Sequence, residues 1–442
     1  MLEEHGGVVL IRSQGRPLSV TMRVPGDKSI SHRAVLLGSL AAEPVRIVNL
    51  LESADVLASV AAVRLLGVPV RRSGADWLIH GRGIDGYTEP VRPIDCRNSG
   101  TTARLLAGLL AASPFFSVLT GDASLRRRPM GRVTRPLTQA GAEILGRDGG
   151  RLLPLAIRGR KLEGFEYRIP EASAQVKTAL VLAAMKAHGS SRILQTTPTR
   201  DHTERLLAHL GVPFRVSGEA IELTGPLQPR GGELIVPGDP SSAAFFAVAG
   251  LLVPESRVTI EGVCLNPTRL GFARVLERMG ARLTLRPTGQ AAGEEMGEIS
   301  AEGSPLTATE IAAGEIPSLV DEVPILAVAA TQARGQTRFR GVQELRTKES
   351  NRLEAVCREL SAMGAELREE GDDLVVCGPT RLKGAPVASH DDHRMAMSLA
   401  VAALVATGET EIAHAACVKI SFPGFFDLFA RLGGVESRES KV

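Results

Sequence analysis

The chain has 442 residues, of which 44% are hydrophobic and 23% charged, an ordinary globular composition with room for two or three domains. Its 52 basic and 49 acidic residues leave a net charge of only +3, and 3% of the residues are aromatic. This balance excludes a protein that coats nucleic acid, since both the positive charge and the aromatic stacking platforms are too few.

Nothing in the sequence indicates export, a membrane span or a disulfide framework. The N-terminal residues lack the basic flank and apolar core of a signal peptide. The longest apolar runs, such as residues 243–254, fall short of the roughly 20 residues that cross a bilayer. The five cysteines are an odd number and form no Cys-x-x-Cys pair, which also disfavours a zinc ribbon. We expect a reduced, cytoplasmic protein.

The first predicted elements, in chain order, are a strand-like run at residues 7–12, an apolar helix at 31–40 and a short β-rich run at 45–48. A second helical pattern follows and ends at Gly67. Glycine commonly closes a helix because it turns the chain through a positive φ without strain. The order helix, strand, helix, strand is typical of an α/β protein.

This order of elements recurs along the chain. Val-Pro-Gly-Asp at residues 24–27 returns at 236–239 and again leads into an apolar helix, a strand and a second helix. The glycine that closes the second helix recurs at Gly67, Gly141, Gly211, Gly280, Gly364 and Gly433. Six copies of a unit of roughly 70 residues predict a repeat architecture.

The first helix of each unit is apolar nearly all round and is predicted to be buried, whereas the second is amphipathic and is predicted to lie outside. The buried helices are expected at residues 31–40, 101–111, 176–187, 242–252, 322–331 and 394–406. Three units in each half predict two similar α/β domains, at residues 22–238 and 239–442. The run at 7–12 belongs to no N-terminal unit, so residues 1–21 are expected to complete the second domain.

The starts of the predicted buried helices carry cations as well as ordinary caps. Ser, Thr, Asn and Asp are normal N-cap residues. Lys28, Arg33 and Arg394, however, stand within the first turn or so, where the helix dipole disfavours positive charge by about 0.3–1 kcal/mol. A bound anion reverses that preference, because helix N-termini bind phosphate readily. A solvated side chain is the alternative for each.

Two further basic clusters favour anionic ligands. Residues 126–128 are three arginines in a loop that Pro129 keeps from becoming helical. Lys348 and Arg352 are four residues apart and are predicted to share one helix face, where like charges are unfavourable unless they share an anion. These clusters predict small polyanions as ligands, with a merely solvated basic loop as the alternative at 126–128.

Two carboxylates are candidates for proton chemistry. Asp321 opens an apolar helix, and Glu349 stands between Lys348 and Arg352. An acid that complements the helix dipole and a surface ion pair are the respective structural alternatives. The His-x-x-His sequence at residues 390–393 lacks a third nearby ligand, so we expect no metal there. Neither GxxxxGK[ST] nor a strand-linked GxGxxG occurs, which disfavours ATP and dinucleotide binding.

Ordered motifs along nearly the whole chain indicate a family. They are VPGDKSISHR (24–33), NSGTTARLL (98–106), GDASLRRRPMGR (121–132), SAQVKTAL (173–180), TRDHTERLL (199–207), VPGDPSS (236–242), PSLVDEVPILAVAA (317–330), ELRTKESNRL (344–353) and DDHRMAMS (391–398). In these segments the sequence resembles the EPSP synthase family of enolpyruvyl transferases. The resemblance implies two domains of three βαβαββ units around buried parallel helices, an inside-out α/β barrel-like fold, with the active site in the cleft between them.

This family transfers the enolpyruvyl group of phosphoenolpyruvate to the 5-hydroxyl of shikimate 3-phosphate, in the shikimate pathway to chorismate and aromatic amino acids. By resemblance, the contacts to shikimate 3-phosphate are Lys28, Ser29, Arg33, Ser173, Ala174, Gln175, Arg200, Asp321 and Lys348. Those to phosphoenolpyruvate are Lys28, Gly100, Arg128, Gln175, Arg352 and Arg394. The first four would cradle its phosphate, and the last two would grip its carboxylate.

The resemblance also implies the acid–base groups. Asp321 would deprotonate the 5-hydroxyl, and Glu349, together with Lys28, would handle the proton at C3 of phosphoenolpyruvate. The family uses no cofactor and no obligatory metal, and we expect a monomer that binds neither nucleic acid nor membrane. Glyphosate occupies the phosphoenolpyruvate site in this family, and Gly100 lacks the Cβ that would project into it.

Three positions depart from the pattern of the family. Ala174 stands where some members have a second serine, and Thr199 and Arg200 stand where some have an aromatic residue. Ile420 fills the place of a lysine before a Ser-Phe-Pro sequence, and Lys419 comes one residue early. Which residue supplies the cation at that edge of the phosphate site is therefore an open question.

Two alternatives stay open. A UDP-N-acetylglucosamine enolpyruvyl transferase shares the fold but uses a loop cysteine as an acid. None of the five cysteines lies in residues 121–132, and Ser29 rather than asparagine follows Lys28. A non-catalytic binding protein on the same repeats would be expected to lack Asp321, Glu349 or the cations, and all of these are present.

Overall fold

The computed structural model describes residues 7–432 and 435–440. Within them the chain divides into two compact units. The first unit comprises Gly26–Pro237 and the short segment Gln290–Glu294. The second comprises the residues up to Pro25, Gly238–Gly289 and the residues from Glu295 onwards. Each unit has its own sheets and its own buried helices.

The strands, in chain order, are β1 (Val8–Ser13), β2 (Ser19–Arg23), β3 (Val45–Val48), β4 (Val70–Ser73), β5 (Asp76–Ile79), β6 (Ile94–Asp95), β7 (Phe116–Thr120), β8 (Glu143–Gly146), β9 (Leu152–Arg158), β10 (Glu166–Ile169), β11 (Gly189–Gln195), β12 (Arg215–Ser217), β13 (Ala220–Gly225), β14 (Gly232–Ile235), β15 (Arg257–Cys264), β16 (Arg282–Ala291), β17 (Glu294–Glu302), β18 (Glu310–Ile311), β19 (Gly335–Phe339), β20 (Glu366–Glu370), β21 (Asp373–Gly378), β22 (Pro386–Ala388), β23 (Glu409–Ala413) and β24 (Val435–Ser440).

The helices are α1 (Lys28–Ser39), α2 (Ala54–Leu65), α3 (Gly100–Ala111), α4 (Gly131–Gln139), α5 (Arg147–Gly150), α6 (Ala174–Lys186), α7 (His202–His209), α8 (Pro240–Leu252), α9 (Gly271–Arg278), α10 (Val323–Gln332), α11 (Arg352–Ala362), α12 (His393–Leu404) and α13 (Phe425–Ala430). Short 3₁₀ turns lie at Leu125–Arg127, Ile316–Ser318, Gln343–Thr347 and Ala415–Ile420.

Three four-stranded sheets form the first unit, in the orders β14-β3-β5-β4, β6-β7-β9-β8 and β10-β11-β13-β12. In each sheet the first two strands are parallel and the other neighbours are antiparallel. Parallel neighbours need a crossover connection, and helices α3 and α6 supply it for the second and third sheets. The first sheet takes its parallel edge strand, β14, from the end of the unit.

The second unit repeats this pattern, with the orders β2-β15-β17-β16, β18-β19-β21-β20 and β22-β23-β1-β24. Its parallel pairs are β2 with β15, β18 with β19 and β22 with β23. Strand β1 lies between β23 and β24 and is antiparallel to both, with Ile11 opposite Thr410 and Ser437. The strand-like run near the N-terminus therefore belongs to the second unit, and β2 is a strand that sequence analysis missed.

The predicted fold class is confirmed: an α/β protein with three βαβαββ repeats in each of two units. The six buried helices begin and end within three residues of the predicted positions, as α1, α3, α6, α8, α10 and α12. Among the described residues the sheets stay open, and none closes into a barrel.

The glycines predicted to close the second helices do so. Gly67, Gly141, Gly211, Gly280 and Gly364 have φ of +88°, +109°, +69°, +85° and +89°. Each stands two positions after the last residue of its helix, α2, α4, α7, α9 or α11. A left-handed residue at this position lets the chain leave the helix, which explains the periodic glycine. Gly433, the sixth predicted position, lies outside the described residues.

The first helices of the units pack closely against neighbouring helices, which excludes solvent from their surfaces. In the first unit, a Cβ on Gly108 of α3 would lie 2.1 Å from the carbonyl oxygen of Ala179 in α6. In the second unit, Phe245 and Phe246 of α8 meet Phe425 with ring centroids 6.2 and 5.7 Å away. Such aromatic contacts add to the free energy gained by burying apolar area. In the described part of the chain no helix is long and apolar enough to cross a membrane.

Candidate active site

The N-terminus of α1 is fixed by its preceding loop. A Cβ on Gly26 would lie 2.1 Å from the carbonyl oxygen of Asn49, so only glycine fits there. Asp27 is the N-cap, and its Oδ1 accepts a hydrogen bond from the Ile30 amide at 2.8 Å. Lys28 is consequently the first helical residue, and its ammonium group forms an ion pair with Asp55 of α2. The Lys28 side chain is 17% exposed, so it is mostly buried but still reaches the protein surface.

Arg33, one turn further along α1, is almost completely buried at 3% exposure. Its Nε donates to Thr203 Oγ1 and its Nη2 to Thr178 Oγ1, both at 2.8 Å. Its Nη1 donates to the carbonyl oxygen of Ser29 at 2.9 Å. These bonds tie α1 to α6 and α7 and fix the orientation of the guanidinium group. Ser29 and Arg33 therefore lie on one face of α1, as their spacing indicates.

The N-terminus of α3 brings a glycine between two arginines. Ser99 is the N-cap, and Gly100 is the first helical residue. A Cβ on Gly100 would lie 3.0 Å from Nη1 of Arg104 and 3.4 Å from Nη1 of Arg128. Arg128 Nη1 also donates to the carbonyl oxygen of Asn98 at 3.0 Å. The N-terminus of a helix beside two cations is an anion-binding arrangement, because the amides of the first turn have no acceptor within the helix.

The N-terminus of α6 joins the same set of residues. Ser173 is its N-cap, and Ala174 is its first helical residue. Gln175 accepts a hydrogen bond from Arg104 Nη1 at 2.5 Å and donates to Thr101 Oγ1 at 2.9 Å. The amide of Gln175 is thereby oriented by two residues of α3. Of the residues that sequence analysis selected, Gly100 and Gln175 both lie beside Arg104, and Arg128 lies beside Gly100.

A buried polar chain links the N-terminal halves of α1, α2 and α3. His32 Nδ1 lies 2.8 Å from Ser59 Oγ, which lies 2.7 Å from Thr102 Oγ1. Thr102 Oγ1 in turn donates to Ser99 Oγ at 2.8 Å. Burial, and then the nearby charges of Lys28 and Arg33, lower the pKa of His32 well below its usual 6.5. A neutral His32 adds no further positive charge to a site that already holds several cations.

Two predicted cationic positions lie in loops. Of the three arginines at residues 126–128, Arg126 and Arg127 are exposed, and only Arg128 is partly buried. The loop contains a 3₁₀ turn at Leu125–Arg127, and Arg128 leaves it in an extended conformation. Arg200 lies two residues before α7 and is partly buried.

In the second unit, the predicted residues gather around Arg352. This arginine is the first residue of α11 and is 1% exposed. Its Nε donates to Asp392 Oδ2 at 2.7 Å, and its Nη2 donates to Asp392 Oδ1 at 3.2 Å and to Glu349. Burial alone would lower the pKa of Arg352, but the carboxylates of Asp392, Glu349 and Asp321 outweigh it and raise that pKa. The guanidinium group is therefore permanently charged.

Asp321 lies among three cations of this unit. Its carboxylate oxygens are 3.5 Å from Arg352 Nη1, 3.8 Å from Arg394 Nη2 and 4.0 Å from Lys348 Nζ. The side chain is 18% exposed, so it can still meet a ligand. Three neighbouring positive charges stabilise the ionised carboxylate, which can then act as a base.

One prediction about this cluster is wrong. Lys348 and Arg352 do not share a helix face, because Asn351 caps α11 and the helix begins only at Arg352. Lys348 instead follows a 3₁₀ turn in an extended conformation. It still reaches Asp321, and its Nζ is also 2.7 Å from Glu344 Oε1.

Sequence analysis missed several residues that contact the predicted ones. Asp55 pairs with Lys28, and Asp392, the N-cap of α12, also binds Arg352. Arg104 was visible as the single charge within the apolar helix at residues 101–111, a pattern that could have selected it. Glu322, beside Asp321, is 1% exposed and has its Oε1 3.8 Å from Arg394 Nη1.

The metal-binding potential of the described residues is low. Among them, no group of three or more His, Cys, Asp or Glu side chains is arranged to hold a metal ion. In the His-x-x-His sequence, His390 Nε2 hydrogen-bonds to Glu359 Oε1 at 2.7 Å.

Comparisons with known proteins give a consistent result. Residues 13–429 match the family model "EPSP synthase (3-phosphoshikimate 1-carboxyvinyltransferase)". The 3-phosphoshikimate 1-carboxyvinyltransferase of Desulforudis audaxviator is 49% identical, over 91% of this chain and 94% of the relative. The 3-phosphoshikimate 1-carboxyvinyltransferase of Gluconobacter oxydans is 47% identical, over 96% of this chain and 97% of the relative.

Solved structures agree in fold. EPSP synthase from Acinetobacter baumannii superposes with a TM-score of 0.88 and 37% identity, covering 98% of this chain and all of the other. The enolpyruvyl transferase NikO from Streptomyces tendae has a TM-score of 0.79 over 99% of this chain, and at 18% identity it shows a common fold only.

Proposed function

The chain belongs to the EPSP synthase (3-phosphoshikimate 1-carboxyvinyltransferase) family, and we propose that it transfers the carboxyvinyl group of phosphoenolpyruvate to the 5-hydroxyl of shikimate 3-phosphate. This is the step of the shikimate pathway that leads towards chorismate and aromatic amino acids. The observation that carries the proposal is the Asp321 carboxylate lying within 4.0 Å of Arg352, Arg394 and Lys348 in a chain that matches this family over most of its length.

The reaction is an addition followed by an elimination. The 5-hydroxyl oxygen loses its proton and bonds to C2 of phosphoenolpyruvate while C3 gains a proton. The tetrahedral intermediate then loses a proton from C3 and breaks the bond between C2 and the phosphate oxygen, which releases phosphate and restores the double bond. The residues must therefore neutralise two polyanions, align their reacting atoms and move protons in both steps.

The phosphate of phosphoenolpyruvate is assigned to Lys28, Gly100, Arg128 and Gln175 of the first unit. The helix N-terminus at Gly100 and the Arg128 guanidinium 3.4 Å from the Cβ position of Gly100 support this role. The orientation of Gln175 by Arg104 and Thr101 supports it further, since an amide held in one orientation binds with less loss of entropy.

Shikimate 3-phosphate is assigned to nine residues, of which seven lie in the first unit. The seven are Lys28, Ser29, Arg33, Ser173, Ala174, Gln175 and Arg200, and the second unit contributes Asp321 and Lys348. The start of α6 at Ala174, which presents free backbone amides, supports phosphate binding there. The buried guanidinium of Arg33, held by Thr178 and Thr203, supports a fixed cation beside Ser29.

The carboxylate of phosphoenolpyruvate is assigned to Arg352 and Arg394 of the second unit. A planar guanidinium can bind a carboxylate through two parallel hydrogen bonds. The two bonds of Arg352 to Asp392 support the proposal, because they fix the plane of its guanidinium.

Proton transfer is assigned to Asp321, Glu349 and Lys28. Asp321 removes the proton of the 5-hydroxyl, and the cations around it support its ionised form. Glu349, with Lys28, handles the proton at C3. The hydrogen bond from Arg352 to Glu349 supports a carboxyl group held at a fixed position close to a cation.

The proposal also includes properties of the whole protein. The enzyme acts in the cytoplasm as a monomer on small molecules, without cofactor, metal, nucleic acid or membrane. The nearly even charge of +3 supports the absence of nucleic acid. The two domains are residues 22–238, and residues 239–442 together with 1–21. The division of the chain into two compact units at Gly26 and Pro237 supports these bounds.

Phosphate release with two alternative acceptors tests the function. The protein is incubated with phosphoenolpyruvate and either shikimate 3-phosphate or UDP-N-acetylglucosamine. Release with the first acceptor alone is expected. Release with the second would favour the sister transferase, and release with neither would favour a non-catalytic binding protein.

A further inference from the structure

Glu322 is a buried carboxylate to which the proposed reaction assigns no role. It stands at the N-cap position of α10, directly after Asp321, and is 1% exposed. Burying an ionised carboxylate costs desolvation free energy unless cations and hydrogen-bond donors compensate for it. The groups around Glu322 provide this compensation.

Oε1 of Glu322 contacts a hydroxyl and a guanidinium group. One is the hydroxyl of Ser241, in the first turn of α8, which donates a hydrogen bond to it. The other is Nη1 of Arg394, in the first turn of α12, at 3.8 Å. Glu322 thus connects the N-termini of three buried helices of the second unit, α8, α10 and α12.

The hydroxyl of Ser241 is itself held in one orientation. Arg269, at 2% exposure, donates from Nη2 to Ser241 Oγ at 2.8 Å and to Asp239 Oδ1 at 3.0 Å. Because Ser241 Oγ accepts from Arg269, its single proton is directed to Glu322. Asp239 also accepts from the Ser241 amide at 2.8 Å as the N-cap of α8. The result is a buried chain of alternating charges, from Asp239 and Arg269 through Ser241 to Glu322 and Arg394.

Arg394 therefore lies between two carboxylates. Its Nη1 is 3.8 Å from Glu322 Oε1, and its Nη2 is 3.8 Å from Asp321 Oδ2. In the proposed reaction Asp321 gains a proton and loses its charge, which removes one of the two attractions on the guanidinium. Glu322 is shielded from solvent and keeps the other.

We propose that Glu322 is a positioning residue that acts through Arg394, holding its guanidinium in place for the carboxylate of phosphoenolpyruvate while Asp321 changes charge. The inference rests on the proposed function, because it assumes that Arg394 binds that carboxylate. Ser241, Arg269 and Asp239 form the buried support that fixes Glu322.

The test compares Glu322→Gln with wild type in steady-state kinetics and in calorimetric titration with shikimate 3-phosphate. Gln keeps the size of the side chain and removes its charge. We expect KM for phosphoenolpyruvate to rise about tenfold, while Kd for shikimate 3-phosphate changes less than about twofold. Glu359→Gln is the matched control, since Glu359 is a buried carboxylate of the same unit that bonds to His390 and the Ala388 amide instead. It is expected to leave KM for phosphoenolpyruvate unchanged.

A double-mutant cycle separates positioning through Arg394 from a general structural role. In an Arg394→Gln background, Glu322→Gln is expected to cause no further loss of kcat/KM for phosphoenolpyruvate. Independent, additive losses would overturn the inference. Ser241→Ala is the second variant, which keeps both charges and removes the anchor. If Glu322→Gln does not fold, a raised KM for phosphoenolpyruvate in Ser241→Ala supports the inference, and a wild-type KM overturns it.

Different results would contradict the proposed function of Arg394 and the inference about Glu322. If Arg394→Gln leaves KM for phosphoenolpyruvate at the wild-type value, the assignment of Arg394 in the proposed function is wrong. If Arg394→Gln weakens phosphoenolpyruvate use and Glu322→Gln matches wild type, only the inference about Glu322 is wrong.

Discussion

Nη1 of Arg352 lies 3.5 Å from Oδ1 of Asp321. The cation proposed to bind the carboxylate of phosphoenolpyruvate is therefore a neighbour of the base proposed to act on the other substrate. Arg352 remains charged because Asp392 and Glu349 also surround it, so it stabilises the ionised form of Asp321 before substrates bind.

Removing the ionisable oxygen of either proposed proton carrier should slow the chemical step. We expect Asp321→Asn and Glu349→Gln each to lower kcat at least about 100-fold, because acid–base catalysis contributes typically 10²–10⁴ in rate. Binding of shikimate 3-phosphate, measured by calorimetry, should stay near normal. Glu354→Gln is the control, since Glu354 is an exposed acid in the first turn of α11. Near wild-type turnover of either variant would show that its residue is not the proton carrier.

Arg352 should also matter for stability. Arg352→Gln leaves the buried carboxylate of Asp392 and the partly buried carboxylate of Glu349 without their cation, which should cost about 3–5 kcal/mol of the free energy of unfolding. Urea denaturation followed by circular dichroism measures this loss. Arg257→Gln, which breaks an exposed pair with Glu302 in the same unit, should cost no more than about 1 kcal/mol. Equal losses in the two variants would contradict the view that Arg352 neutralises a buried acidic cluster.

Adding a methyl group at Gly100 should weaken ligands at the phosphate cradle. The Cβ of Gly100→Ala would lie 3.0 Å from Arg104 Nη1 and 3.4 Å from Arg128 Nη1, both at the ends of flexible side chains. The protein should fold, while KM for phosphoenolpyruvate and the concentration of glyphosate that halves activity should rise about tenfold. Gly314→Ala is the control, since a Cβ there meets nothing within 4 Å. If wild type ignores millimolar glyphosate, or if Gly100→Ala is inhibited no less readily, the geometry assigned to Gly100 is wrong.

The buried His32 should make the protein sensitive to acid. Burial, with Lys28 and Arg33 nearby, lowers its pKa in the folded state, so below pH 6.5 the unfolded chain takes up a proton that the folded protein does not. Stability is therefore retained above that pH and lost as pH falls below it. Between pH 7.5 and 5.5, wild type should lose about 1.4 kcal/mol more than His32→Asn, whose amide can still bond to Ser59.

Urea denaturation at the two pH values measures this difference. His188→Asn, at an exposed histidine, is the control and should follow the wild-type pH dependence. If His32→Asn loses as much stability on acidification as wild type, His32 does not stay neutral in the folded protein.

Local patterns in the sequence were sufficient to predict the repeats, because a buried helix must be apolar and a helix that ends in a left-handed turn favours glycine. Gly67 and Gly364 show both the spacing and the predicted positive φ. The position of Lys348 could not be read in the same way. Its spacing from Arg352 suggested one helix, but the cap at Asn351 starts α11 later and leaves Lys348 in an extended segment.

Contacts between distant parts of the chain were beyond sequence reasoning. Asp392 is a good N-cap by local rules, and nothing local indicates that its carboxylate also binds Arg352, 40 residues earlier. The pair of Lys28 with Asp55 and the bond of Ser241 to Glu322 likewise depend on which helix starts come together within a unit. A resemblance to a family supplied the remaining roles, and these stay predictions until the variants are measured.

The proposed transfer is measured by following the carboxyvinyl group from phosphoenolpyruvate to its product. The protein is incubated with phosphoenolpyruvate and shikimate 3-phosphate together and with each alone, and the products are followed by ³¹P NMR and mass spectrometry. With both present, we expect shikimate 3-phosphate to gain a carboxyvinyl group at its 5-oxygen while an equal amount of phosphate appears, and we expect neither substrate to change alone. Phosphate released from phosphoenolpyruvate without shikimate 3-phosphate, or no transfer with both present, would contradict the proposed transfer.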